Sequence, residues 1–301
     1  MRFNARFTHN NLDWPTIIEQ LNHNRSPRQR LTPDPRAIAQ RWQPAQGFTV
    51  IREPALIEPE ELLHRERQWA QIERNTRLFL EGKPANHILL WGARGTGKSS
   101  LIRALLARHG GKNLSMIELD RAGLIGLADL IQILSTQPRH YILFLDDLSF
   151  EANDPSYKGL KALLDGSLMA PPPNILVYAS SNRRHLLPET MQDNLNAAVV
   201  DNELHEGDAI DEKVSLSERF GLWLAFHPFS QEQYLDIARN QIAKLQGDTP
   251  ELTAILHDEA LWRQEALKFA RLRGSRSGRV ANQFARFWQA ENLPEINNTT
   301  Q

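Results

Sequence analysis

Between residues 87 and 226 the chain carries five short apolar runs, at 87–91, 114–119, 141–145, 174–179 and 222–226. Runs this short, bounded by polar turns, read as strands covered on both faces of a parallel sheet. Amphipathic stretches at 99–109, 124–135 and 157–168 lie among them, with apolar residues at helical spacing. Strands alternating with helices predict an α/β doubly wound sheet of five parallel strands. Ahead of the first run, Leu62, Leu63, Trp69, Ile72, Leu78 and Leu80 fall near helical spacing, and Gly82 ends the segment. After Pro228 no strand pattern remains. Ser230 and Gln233 read as a capping box opening a helix to about residue 246. Helices over 251–272 and 278–291 complete a small all-helical domain.

Residues 1–60 break this regularity. Pro27, Pro33, Pro35, Pro44, Pro54 and Pro59 interrupt any long helix, and only 14–21 reads as a short one. The predicted organisation is an irregular extension over 1–60, an α/β core over 61–228, a helical domain over 229–292 and a disordered tail over 293–301.

Composition narrows the class. The 301 residues are 41% hydrophobic and 24% charged, which excludes a disordered, collagen-like or disulfide-stapled chain. No apolar run approaches the roughly 18 residues a spanning helix needs, and no apolar stretch follows the first residues. A cytoplasmic protein without a membrane partner is expected. The absence of cysteine removes disulfides, thiolate metal sites and cysteine nucleophiles. The ten histidines show no metal-ligand spacing, so a structural metal is not expected. Net charge is -1, but residues 1–52 carry +5 and the rest -6. Residues 189–218 are acidic and 263–286 basic, each reading as a solvated face.

One segment carries specific chemistry. Gly92-Ala93-Arg94-Gly95-Thr96-Gly97-Lys98-Ser99, with Ser100 behind it, fits the G-x-x-x-x-G-K-[ST] phosphate loop. It follows the apolar run that includes Ile88, Leu89, Leu90 and Trp91 and precedes the amphipathic Leu101, Ile102, Leu105 and Leu106. Strand, loop and helix are the setting such a loop requires. Its glycines let successive amides face a phosphate chain, and the helix end adds positive potential. Lys98 is placed for the β- and γ-phosphates, and the Ser99 hydroxyl for Mg²⁺. A fortuitous glycine-rich turn is the competing reading.

The apolar run of Tyr141, Ile142, Leu143, Phe144 and Leu145 ends in Asp146-Asp147. Asp146 is expected to hold the metal with Ser99, and Asp147 to polarise the attacking water. Read alone, such a pair is also a common turn.

The order of these features resembles the AAA+ ATPases over about residues 60–290. The stretch Leu62-Leu63-His64-Arg65-Glu66 resembles the segment lining the adenine pocket. Asn182, after 175–181, resembles the polar sensor 1 that orients water. Arg219, in Leu216-Ser217-Glu218-Arg219-Phe220-Gly221, matches the arginine finger. Arg279 begins the last helix, where sensor 2 is found. The helical domain then corresponds to a lid. Residues 88–101, 145–150, 179–186 and 217–222 resemble, more closely still, the ATP-binding family called domain of unknown function 815. One departure stands out: Asp147 occupies the place where most AAA+ members carry Glu, one methylene longer.

The resemblance implies ATP and Mg²⁺ as ligands, with Lys98, Asp147, Asn182, Arg219 and Arg279 in catalytic roles. It also implies a homo-oligomer completed by Arg219 in trans, and an unknown protein client. The bland alternatives are an ion pair of Arg219 with Glu218 or Glu212, and a capping role for Asn182. Arg271, Arg273 and Arg276 compete with Arg279, and Arg183 and Arg184 are further cations near the phosphate side. Three functional readings follow: an ATPase that remodels or switches a partner, a slow or non-hydrolysing ATP-dependent switch, and a DNA-associated ATPase of loader or initiator type. A nucleoside kinase ranks last, because it needs neither Arg219 nor Arg279.

Overall fold

The computed structural model describes residues 31–111, 113–150, 155–165, 172–183, 216–246 and 259–292. Its centre is a seven-stranded sheet. The strands are β1 (Ala39–Gln43), β2 (Gly47–Val50), β3 (Ile88–Gly92), β4 (Leu114–Leu119), β5 (His140–Leu145), β6 (Ile175–Ser181) and β7 (Leu222–Phe226). They lie in the order β2-β1-β4-β5-β6-β3-β7. All neighbours run parallel except the β1–β2 hairpin.

The five expected strands are present, and the hairpin corrects the five-strand count. It also corrects the reading of residues 39–50 as part of an irregular extension. The prolines there stand outside the strands, with Pro44 in the turn between them. Trp42 and Gln40 are fully buried, and Arg139 pins the approach to β1 by donating to Pro35 O, Ala37 O and Leu114 O. The predicted helix over 14–21, the tail over 293–301, Arg184 and most of the acidic stretch lie outside the described residues.

Alternate residues of each strand enter opposite layers, as a doubly covered sheet requires. Leu89, Leu143 and Val177 face one layer with Leu124, Leu130 and Leu160. Ile88, Leu90, Ile142 and Tyr178 face the other, with Ile72, Phe79, Leu101 and Leu105. Five helices supply these layers: α1 (Glu66–Leu80), α2 (Lys98–His109), α3 (Arg121–Ile125), α4 (Leu127–Ser135) and α5 (Pro155–Asp165). The helix expected over 124–135 is split at Gly126, where an added Cβ would lie 2.8 Å from Pro44 Cγ. The hairpin turn thus presses on the backbone there. Tyr178, raised by burial to about 12, ties α1 to β6 through Thr76 and Asn75.

Beyond β7 come α6 (Gln231–Gln246), α7 (Glu259–Leu272) and α8 (Gly278–Asn292). The expected capping box is formed, with Ser230 and Gln233 exchanging side-chain and backbone bonds. The three helices share a core of their own around Tyr234, Trp262, Phe284 and Trp288. Two neighbouring residues stitch the units together: Leu62 packs into the sheet layer and Leu63 against the helical core.

His87 gives a pH handle on the fold. Its Nδ1 accepts the Val177 N–H at 3.0 Å, and burial lowers its pKa to about 4. The folded state therefore binds fewer protons than the unfolded one between pH 6.5 and 4. Stability from this ring is complete above pH 6.5 and falls as the pH drops, by about 3 kcal/mol over that interval. His87→Asn, whose amide oxygen replaces Nδ1 as acceptor, is expected to remove this part of the slope. Urea unfolding of both proteins at pH 7 and pH 4.5 checks it; equal slopes would contradict the assignment.

Candidate functional site

The loop 92–97 leaves β3 through three left-handed glycines: Gly92 at φ 138°, Gly95 at 72° and Gly97 at 102°. A side chain at Gly92 is excluded outright, because its Cβ would lie 2.1 Å from Phe226 O on β7. The loop ends on the first turn of α2. Thr96 Oγ1 donates to Ala93 O and braces the curve.

Lys98, almost completely buried, folds its ammonium back into the loop. Nζ donates to Gly92 O at 2.7 Å, Ala93 O at 2.9 Å and Asn182 Oδ1 at 3.1 Å. Burial lowers its pKa, Asp147 and Asp146 oppose that, and Arg94 adds to it.

The sheet order brings the other groups here. β5, β6 and β3 are neighbours, so their C-terminal ends open side by side. Asp146 follows β5, Asn182 follows β6, and the loop follows β3. Ser99 Oγ donates to Asp146 Oδ1 at 2.9 Å. Buried Ser180 donates to the same oxygen at 2.5 Å and accepts the Asp147 N–H at 3.0 Å. Asp147 adopts φ 53°, a conformation costly outside glycine and eased by a short polar side chain. The Ser180 contacts hold that turn. Asn182 Nδ2 donates to Asp147 Oδ1, and Arg94 lies 3.7 Å from Asp147 Oδ2. Asn182 thereby bridges Lys98 and Asp147.

A cleft of about 920 Å³ runs from this cluster to the helical unit. Its lining includes Gly95–Ser100, Asp146, Asp147 and Asn182, together with the apolar Ile57, Leu62, Leu63, Phe229 and Ile237. That volume and a lining of both polar and apolar residues suit a nucleotide-sized ligand. The donor set also suits a hard divalent cation, since a hydroxyl and a carboxylate stand in contact beside the loop.

Of the four arginines weighed for the last helix, Arg279 lines this cleft, whereas Arg271 and Arg276 line a neighbouring recess and Arg273 stacks on Phe269. Arg219 does not line it. It follows a helical turn ahead of β7, at the sheet end away from the loop, and pairs with Asp165 at the end of α5. Glu212, one of the two acids weighed as its ion-pair partner, lies outside the described residues.

Three contributors were given no individual role from sequence, although Arg65 falls in the stretch 62–66 and Ser180 in the stretch 179–186 that carry the resemblance. Ser180 lies on the strand before Asn182, and nothing in its neighbours marks it. Arg286 lines the cleft one helical repeat after Arg279, a spacing that puts both on one face. Arg65 donates through Nε to Thr96 O at 2.8 Å, directly behind the loop.

A family model described as "Protein of unknown function (DUF815)" matches residues 35–292. No curated protein matches the chain. Among solved structures, the ORC1 protein of Aeropyrum pernix in complex with DNA is 16% identical, with a TM-score of 0.50 over 80% of this chain and 65% of that one. A RuvB mutant of Thermotoga maritima is 15% identical, with a TM-score of 0.48 over 78% and 68%. PCH-2 of C. elegans is 17% identical, with a TM-score of 0.47 over 79% and 65%. The ORC1 likeness shows a shared fold, and the expected class, an α/β core with a largely parallel sheet followed by a helical unit, is the one seen.

Gly92→Ala is expected to destabilise the protein by about 3 kcal/mol or more, through both backbone strain and collision with Phe226. Urea denaturation checks it. A change below about 1 kcal/mol would mean that the β3–β7 approach is not this tight.

Proposed function

The chain belongs to the DUF815 family, and from that premise we propose that it binds Mg-ATP between core and lid and hydrolyses it, changing a protein partner as the lid moves. One observation carries this reading: Lys98, Ser99, Asp146, Asp147 and Asn182, from three adjacent strand ends, meet in one hydrogen-bonded cluster.

The loop amides and Lys98 serve the phosphates, and the apolar lining of the cleft serves the base. Ser99 and Asp146 would hold Mg²⁺, which supplies charge neutralisation on the phosphate oxygens. Asp147 accepts the proton of the attacking water, and Asn182 keeps that carboxylate facing Lys98. Arg279, at the N-terminal end of α8, meets the phosphates from the lid side.

Asp147 favours slow turnover. Its side chain is a methylene shorter than Glu, and Asn182 and Arg94 already engage both its oxygens. A nucleotide-timed switch fits that chemistry better than a fast motor. Arg219 stands away from the cleft of its own chain, so as an arginine finger it serves a second copy. The reading therefore includes a homo-oligomer.

Calorimetry is expected to show Mg-ATP binding by the full chain, and Lys98→Ala to weaken it at least about 100-fold, since a buried charge-assisted contact is lost. An absence of heat with the native chain would overturn the reading. Arg219→Ala is expected to leave binding intact and to lower kcat about 1,000-fold in the assembled state. Asp147→Glu is expected to raise kcat several-fold. Steady-state phosphate release measures both. Unchanged turnover in Arg219→Ala would remove the trans role.

A further inference from the structure

The phosphate loop is held from behind as well as from within. In a trans peptide the carbonyl points opposite to the next N–H. The Gly95 carbonyl therefore fixes where the Thr96 N–H points, and the Thr96 carbonyl fixes the Gly97 N–H. Both carbonyls are taken by groups linked to the helical unit. Gly95 O accepts the N–H of Gly278, the first residue of α8, at 2.9 Å. Thr96 O accepts from Arg65 Nε at 2.8 Å.

Arg65 makes three such contacts. Its Nη1 donates to His64 O at 2.8 Å and its Nη2 to His227 O at 3.1 Å. His227 lies in the connection between β7 and α6, the hinge of core and lid. The guanidinium also lies 4.0 Å over the Phe229 ring, in that same connection, and 5.5 Å from the Phe226 ring. Arg65 is 6% exposed, and among the described residues its hydrogen bonds all go to backbone carbonyls. Its planar fork can serve three carbonyls in different directions, which a lysine ammonium on a flexible stem does less rigidly.

We propose that Arg65 is a positioning residue that couples the hinge at 227–230 to the peptide between Thr96 and Gly97. A hinge rotation that moves His227 and Phe229 carries the guanidinium with it. The peptide then turns, and the Gly97 N–H turns with it. Conversely, an anion that fixes the Gly97 N–H fixes the Thr96 carbonyl, the guanidinium and the hinge. Lid orientation and phosphate binding are thus linked through the Thr96 carbonyl and Arg65, in addition to Arg279. The coupling rests on the nucleotide-binding reading above.

The test is hydrogen exchange of hinge peptides spanning 226–234 in the full chain, with and without saturating Mg-ADP, beside calorimetry of the same samples. In the native protein Mg-ADP is expected to slow hinge exchange at least about three-fold. Arg65 lines the cleft, so Arg65→Lys and Arg65→Met are expected to bind Mg-ADP more weakly. They are compared at saturating Mg-ADP, where they are expected to lose most of the hinge response. A variant that binds and keeps the response overturns the coupling. So does one that loses response, binding and its melting transition together, which marks a purely structural role. Phe229→Leu covers poor folding of the Arg65 variants: it removes the stacking partner and is expected to reduce the response at saturation, whereas a full response overturns the proposal. A native chain that gives no heat with Mg-ADP fails at the functional reading itself, before any variant is compared.

Discussion

Everything at the cleft depends on a buried ammonium that is satisfied by backbone oxygen rather than by a direct carboxylate bond. Lys98 sits inside the loop it belongs to, sharing its protons between two carbonyls and the Asn182 amide. Burial of a charge is costly unless its hydrogen bonds are made. The surrounding structure meets that requirement by converging three strand ends. β3 supplies the carbonyls, β6 the amide, and β5 the two carboxylates that offset the charge through space. The glycines let the loop curve tightly enough for its oxygens to reach the ammonium. Ser180 then fixes Asp146 and the strained turn at Asp147 together, so the acids keep their place against the cation.

Much of this was legible in the chain because its signals are local. The phosphate loop, the acid pair after an apolar strand and the capping box at Ser230 each occupy a few consecutive residues. The five central strands were visible because buried parallel strands are continuous apolar runs. The β1–β2 hairpin was not. Its strands are short, mix Gln and Arg with Trp42, and sit among prolines; their pairing is decided by contacts with β4 and Arg139, which lie far along the chain. The close approach of Pro44 to Gly126, where the helix is split, likewise belongs to the hairpin and is not recorded in helical periodicity. At the site, the roles of Ser180 and Arg65 were not legible because their partners, Asp146 and Asp147 for the one and the Thr96 and His227 carbonyls for the other, lie far along the chain. Arg219 was placed by motif, but its partner Asp165 comes from a different helix.

The helical unit is tied to the core at several points. Leu63 packs into its core, while Glu61 and His64 pair with Lys244 and Asp236 on α6. The segment leading into α1 is therefore bonded to the helical unit on one side and, through Arg65, to the phosphate loop on the other. Such connectivity suits a protein whose output is a lid angle set by its ligand. Under the proposed function, Asp147, shorter than the Glu usual in AAA+ proteins, suits a state that persists long enough to be read by a partner.

The most direct measurement is a crystal structure of the full chain with Mg²⁺ and a non-hydrolysable ATP analogue. The account predicts the triphosphate inside the loop 92–99, the metal between Ser99 and Asp146 about 2.1 Å from the hydroxyl oxygen, and Lys98 turned from its carbonyls to the phosphates. A triphosphate bound elsewhere, with the ammonium still held by Gly92 and Ala93, would contradict it.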